Sequence, residues 1–310
     1  MVSAILPILA IAVVGYLLSR TRPVDAEPLA TVSIYVLLPA LVFYSLATSE
    51  ITAETTALFL IGVALFTGSI AAVAELTGRV VPHSDSALDG LVLSTSFPNV
   101  GNFGIPFMMF AFGAVGRSAA VLFVIGQSVF MYTFGVYVAS RGEAISARSI
   151  LGRISKLPLL YATAGGLLAR YLDIVPPVGS TAMETIRLTG DAAIPVMLLL
   201  LGIELANVEN VISLRRVAPG VLLKLLLAPV LAIGIALAIG LTGTVGRVFV
   251  LESAMPTAVT PLALAIEFGN ADRGFTAAEY IGTTVLISSI LSVITLTGFL
   301  VLLTSPISPI

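Results

Sequence analysis

No charged residue stands between Asp89 and Arg117, and apolar runs of this kind recur from one end of the chain to the other. Hydrocarbon offers no partner for backbone N–H and C=O groups, so a segment buried in lipid closes its own hydrogen bonds as a helix, and about 20 apolar residues carry it across. A water-soluble chain devotes about a quarter of its residues to charge. Here 58% are hydrophobic and 10% charged, with a mean hydropathy of +1.10. The sequence therefore predicts an all-α polytopic membrane protein. Ten spans fit, near residues 3–19, 29–48, 55–76, 86–113, 117–140, 157–174, 181–205, 217–241, 246–269 and 276–303. The sixth has the shortest uncharged run, Leu157 to Ala169, and Arg170 closes it where a long stem reaches the headgroups.

Positive residues give the orientation, because cytoplasmic loops collect Lys and Arg. With ten spans, Arg20, Arg22, Arg79, Arg141, Arg148, Arg153, Lys156, Arg215, Arg216 and Arg273 share one side; Arg117, Arg170, Arg187 and Arg247 take the other. Both termini are expected outside the cytoplasm, in a multi-pass protein of the cell (plasma) membrane that has lipid for its surroundings. The first span starts without a basic stretch before it and reads as a retained helix rather than a cleaved leader. Residues 141–156 form a cytoplasmic linker whose Ile145, Ile150, Leu151 and Ile154 among basic residues suggest a short amphipathic helix. Nothing in the charge pattern suggests nucleic acid as a partner. The chain has no cysteine, hence no thiolate site, and its one histidine, His83, falls in a polar loop.

The fourth and ninth spans each carry a two-proline interruption. In SFPNVGNFGIP, residues 96–106, Pro98 and Pro106 cannot donate a helical hydrogen bond, while Gly101 and Gly104 permit backbone angles that other residues resist. Asn99 and Asn102 add amides beside the released backbone groups. The ninth span holds ESAMPTAVTP, residues 252–261, with Pro256 and Pro261. Setting Pro98 against Pro256, an offset of 158, places Asn99 opposite Thr257, Asn102 opposite Thr260 and Ser94 opposite Glu252. Pro39 and Pro195 interrupt the second and seventh spans at an offset of 156. A proline kink repaired by neighbouring helices explains one such site; two matched ones point to an internal repeat.

The halves are residues 1–140 and 157–310, five spans each. Five is odd, so the second repeat enters the membrane from the opposite side. Inverted repeats with discontinuous helices are a transporter arrangement, with substrate near the midplane and alternating access to it. Crossed breaks would offer amides at half-helix N-termini and carbonyls at half-helix C-termini, attracting anions and cations respectively. Gln127, in FVIGQSVF of the fifth span, is a further polar neighbour, or else a helix-to-helix hydrogen bond.

PNVGNFGIPF at 98–107 and AMPTAVTPLALA at 254–265, with ten spans in a 5+5 order, resemble the auxin efflux carriers, which include plant auxin exporters and malonate-type prokaryotic permeases. The resemblance covers the whole length. It implies a scaffold domain and a transport domain, each formed from both repeats, with the fourth and ninth helices broken and crossing. It also implies a small organic anion as substrate, and a homodimer through the scaffold helices is plausible. More distantly the arrangement is similar to that of bile acid:sodium symporters and NhaA-like antiporters. In the symporters a glutamate before the ninth-span break and a fourth-span asparagine help hold sodium; Glu252 and Asn99 match them, but Pro256 and Thr257 replace the polar pair expected after the glutamate.

The expected substrate contacts are thus Pro98, Asn99, Gly101, Asn102, Gly104, Pro106, Gln127, Pro256, Thr257, Thr260 and Pro261. Charge within a span is expensive and usually functional. Glu252 is the first candidate for proton or sodium coupling, with pairing to Arg247 as its structural alternative. Asp191 lies four residues before Pro195 and is a second candidate, or a cap or interface residue. Lys224 either stands in for a cation or meets an anion, or snorkels to the surface. No metal is assigned beyond a sodium ion near Asn99 and Glu252, and no cofactor is expected. A channel, a sodium-coupled symporter and an intramembrane enzyme are the alternatives; the last lacks HExxH, cysteine and any aspartate-rich motif.

Overall fold

The computed structural model describes residues 2–81, 84–141, 147–208, 211–268, 277–308 and 310. His83 and Arg273 lie outside these residues, as does most of the linker before the helix Ala147–Ile154. The described residues are helical apart from short connections and one isolated β-bridge. Six helical stretches are long and apolar enough to cross a membrane: Ala26–Ala47, Ala53–Val80, Val100–Ala139, Thr181–Ala206, Leu214–Ile239 and Ala277–Thr304. Their outer faces keep large apolar side chains exposed, among them Ile61, Leu237, Ile290 and Ile294, as lipid-facing helices require.

The longest of these stretches is not one rod. Gly113 adopts φ 63° and ψ −145°, a conformation open to glycine alone, and a Cβ on Gly116 would fall onto the Met108 carbonyl and the Phe112 side chain. In a continuous helix residues 108 and 116 stand about 12 Å apart. The chain therefore folds back at Gly113, where the sequence reading separates its fourth and fifth spans.

Proline also shapes the helices that continue. Three π-helical segments, Ser33–Leu37, Val100–Gly104 and Leu223–Leu227, each end two residues before a proline: Pro39, Pro106 and Pro229. A proline ring clashes with the carbonyl four residues back, and a wider turn relieves the clash without ending the helix. Residues 100–104 are thus wound into a π-helix, where the sequence suggests an unwound break extending to Gly104. Pro195 follows a brief interruption at Ala192, between the helices Thr181–Asp191 and Ala193–Ala206.

The chain divides into two compact units, each drawing on both halves of the sequence. The first comprises residues 1–56, 101–125 and 155–207. In it Val2–Thr21 packs along Ala193–Ala206, and Leu38–Ala47 packs on Pro158–Tyr171 and Thr181–Asp191. Gly15 and Gly202 bring the first pair into backbone contact, since a Cβ on either would meet the carbonyl of Leu199 or Ala12. Close approach through small residues is how helices gain packing energy in lipid.

The second unit comprises residues 57–100, 126–154 and 208–310. Ala277–Thr304 packs on Asp85–Ser96 with Tyr280 seated against Gly90. Phe249, from Gly243–Ser253, stands edge-on to Phe59 and Phe66 at 5.6 and 6.5 Å. This unit holds both short helices that end at a proline break.

Candidate functional site

Asp85–Ser96 starts on a Ser84 cap, whose hydroxyl accepts from the Ala87 amide, and stops at Phe97, which is extended at φ −117° and ψ 94°. Residues before proline avoid the helical region. In the other half Gly243–Ser253 stops ahead of Pro256, and the helix resumes as Thr260–Phe268. The two extended segments pair as an antiparallel bridge between Pro98 and Thr257. The Asn99 amide donates to the Pro256 carbonyl at 2.7 Å, and the Ala258 amide to the Phe97 carbonyl at 3.0 Å.

Several of the carbonyls freed at this junction find donors outside their own helix, as burial in a membrane favours. Ser94 would be bonded four residues on by Pro98, which has no N–H; the Thr257 hydroxyl donates to it instead, at 2.8 Å. Thr95 would be bonded by the Asn99 amide, which is committed to Pro256. Ser253 would be bonded by the Thr257 amide, which donates to the Ser288 hydroxyl at 3.1 Å. The Thr95 and Ser253 carbonyls both accept from the Lys224 ammonium, each at 3.4 Å. The Pro98 carbonyl accepts from Gln127 Nε2 at 2.8 Å. Gln127 is thus a brace on the break itself.

Among the described residues, Asn99, Gln127 and Glu252 are buried polar groups near the junction that keep unused capacity. Asn99 is 5% exposed and its Nδ2 has no partner; Gln127 is 6% exposed and its Oε1 has none. Glu252 is fully buried, with neither carboxylate oxygen hydrogen-bonded. It does not pair with Arg247, whose Nε donates to the Ile310 carbonyl at 3.2 Å. Lys224 is fully buried too, so it does not snorkel; its Nζ lies 5.9 Å from the Phe66 ring centroid. Pro261 is buried, whereas Thr260 is exposed at the start of its helix and does not share the environment of Thr257.

In the first unit Gly101 and Asn102 are half-buried, with open space where a Gly101 side chain would stand, and Gly104 and Pro106 are buried. Asn102 Nδ2 donates to Glu204, 3.3 Å from Oε2 and 3.5 Å from Oε1. Asp191 bridges two guanidinium groups, Arg117 at 2.9 Å and Arg187 at 2.8 Å. Arg117 is buried and also stacks 5.2 Å from the Tyr44 ring centroid. Asp191 therefore has protein cations for partners, as an interface residue does. The described residues contain no cluster of three or more groups fit to hold a metal ion.

A family model described as membrane transport protein matches residues 1–157 and 150–300. The chain belongs to this family, that of the auxin efflux carriers. Among its relatives is an uncharacterized transporter of Methanothermobacter thermautotrophicus, 27% identical over 300 residues that cover 94% of this chain and 95% of the relative. An uncharacterized transporter of Methanocaldococcus jannaschii is 22% identical, covering 84% and 87%. A Rhizobium meliloti protein named "Putative malonate transporter" is 26% identical, covering 98% and 96%. Family and relatives are transporters rather than enzymes.

One residue escaped the sequence reading. Glu204 is the carboxylate that Asn102 addresses, and it interrupts an otherwise uncharged run between Asp191 and Glu209. It stands at the predicted end of the seventh span, 181–205. The signal available was its position in an apolar helix, Ala193–Ala206, whose neighbours Ile203 and Ala206 are buried.

Proposed function

We propose that this membrane transport protein is a secondary-active permease that moves a small organic anion, a carboxylate, across the cell membrane by alternating access. In this reading ten spans form two inverted repeats, residues 1–140 and 157–310, with the linker 141–156 in the cytoplasm and both termini outside. Scaffold and transport domains each draw on both repeats, as each compact unit draws on both halves of the sequence.

The observation that carries the proposal is the pairing of two interrupted helices from matching places in the two halves, joined at Pro98 and Thr257. A repaired kink requires no such cross-connection. Protein groups bond the Ser94, Thr95, Ser253 and Pro98 carbonyls at the junction, and buried polar capacity is left on Asn99 and Gln127. The Asn99 amide is the donor proposed for a carboxylate oxygen, and Glu252, buried without a partner, is the group proposed to carry a coupling ion or proton. The rhizobial relative's name supports a carboxylate as substrate.

A thermal-shift screen of small mono- and dicarboxylates on the purified protein tests this reading, because a ligand that binds only the folded state raises its apparent stability. The expected result is a saturable rise with at least one carboxylate, weakened in Asn99→Leu. If no carboxylate shifts the wild type while another class of small molecule does, the organic-anion assignment is wrong.

A further inference from the structure

Lys224 joins the two broken helices through their ends. Asp85–Ser96 and Gly243–Ser253 finish at the junction, where terminal carbonyls lack intrahelical donors and carry the negative end of each helix dipole. Two such ends brought together make a place for a cation. The ammonium of Lys224 fills it from a third element, the π-helical turn Leu223–Leu227. It donates to the Thr95 and Ser253 carbonyls at 3.4 Å each, and the face of Phe66 lies 5.9 Å away. An ammonium has three N–H groups, and two carbonyls and a ring face account for them.

We infer that Lys224 is a tethered cation that takes the place of a free sodium ion between the half-helix C-termini, so this junction neither needs nor binds sodium. Charge balance agrees with the assignment. Among the described residues of this unit, Lys224 and Glu252, one residue before Ser253 with both oxygens unpartnered, are the two fully buried groups of opposite charge. A sodium ion added beside Lys224 would set two cations against the same pair of carbonyls in a site closed to water. The Thr95 and Ser253 carbonyls are thus occupied before any ion arrives, and any ion coupling falls to a group other than this carbonyl pair. The occupancy of the carbonyls rests on geometry alone; only its consequence for coupling rests on the transporter reading.

The test uses the purified full chain without substrate, comparing thermal stability in choline, sodium and ethylammonium chlorides at equal ionic strength. Glu252→Gln, whose amide cannot hold a coupling ion, is expected to melt at the same temperature in choline and sodium. Lys224→Ala is expected to melt lower in choline and to recover with ethylammonium, whose ammonium and short alkyl tail refill the vacated space. At ten times its Kd a rescuing cation shifts the folding equilibrium roughly tenfold. Lys224→Met keeps the stem's bulk without the charge, so it should lose stability without being rescued by an alkylammonium. Saturable stabilisation by sodium that persists in Glu252→Gln, where no carboxylate is left to hold the ion, overturns the inference. Lys224→Met as stable as wild type in choline overturns it as well. Because no carboxylate enters these assays, failure of the organic-anion screen and failure of this inference are separate results.

Discussion

Thr257 and Thr260 stand three residues apart in one threonine-proline stretch, and valine at the two positions should have unequal effects. Thr257→Val keeps the side chain's shape and removes the hydroxyl that bonds the Ser94 carbonyl at 2.8 Å. That carbonyl has no second donor within its helix, because the residue four positions on is Pro98. Leaving a buried acceptor unpaired costs about 1–3 kcal/mol. Hydrogen bonds between membrane-embedded side chains have measured nearer 0.6 kcal/mol, with a ceiling of about 1.7. The overlap places Thr257→Val at a loss of ~1–1.7 kcal/mol. Thr260 is exposed, and the same substitution there should stay within about 0.5 kcal/mol of wild type. Sodium dodecyl sulfate titration in mixed micelles, followed by circular dichroism, measures both variants on one scale. Equal losses at the two positions would refute the reasoning, as would a Thr257→Val variant indistinguishable from wild type.

Gly202→Leu should abolish folding, read as loss of a monodisperse peak in size-exclusion chromatography, because its side chain would occupy the Ala12 backbone; Gly298→Leu, with nothing within 4 Å of its Cβ, should elute normally. Asp191→Asn takes the charge from the bridge between Arg117 and Arg187 while Glu184 still holds Arg187, so a modest loss of about 1 kcal/mol is expected in the same micelle titration. Asn102→Leu should weaken carboxylate binding roughly tenfold, the equivalent of about 1.4 kcal/mol, while leaving the melting temperature nearly unchanged. Equal damage to binding and stability would make Asn102 a structural anchor for Glu204.

The helices were legible because lipid leaves the backbone few choices. Uncharged runs located them, and Pro98 and Pro256 located the places where they stop. The reach of the first break was not legible: Gly101 and Gly104 suggested unwinding, yet with Asn99 already bonded to Pro256 the chain rewinds at Val100, and Pro106 needs only a widened turn. Thr260 matched Asn102 by offset but is exposed, since an offset fixes sequence position and not the helical face. The uses of Lys224 and Glu252 depend on which carbonyls lose their donors and which side chains approach from other helices. Those are tertiary facts. Gln127 had an ambiguous reading for the same reason, because a glutamine in a span always finds some partner and only the fold identifies it as the Pro98 carbonyl.

Counterflow in proteoliposomes is the most direct measurement of the central claim. Vesicles loaded with unlabelled malonate or a related carboxylate, then diluted into a trace of the labelled compound, reveal exchange through a carrier that alternates its access. Transient, saturable accumulation of label above equilibrium, absent from protein-free vesicles and reduced in Asn99→Leu, is the result expected. Folded protein that passes the label only down its gradient, without stimulation by internal substrate, would contradict a carrier and identify a channel.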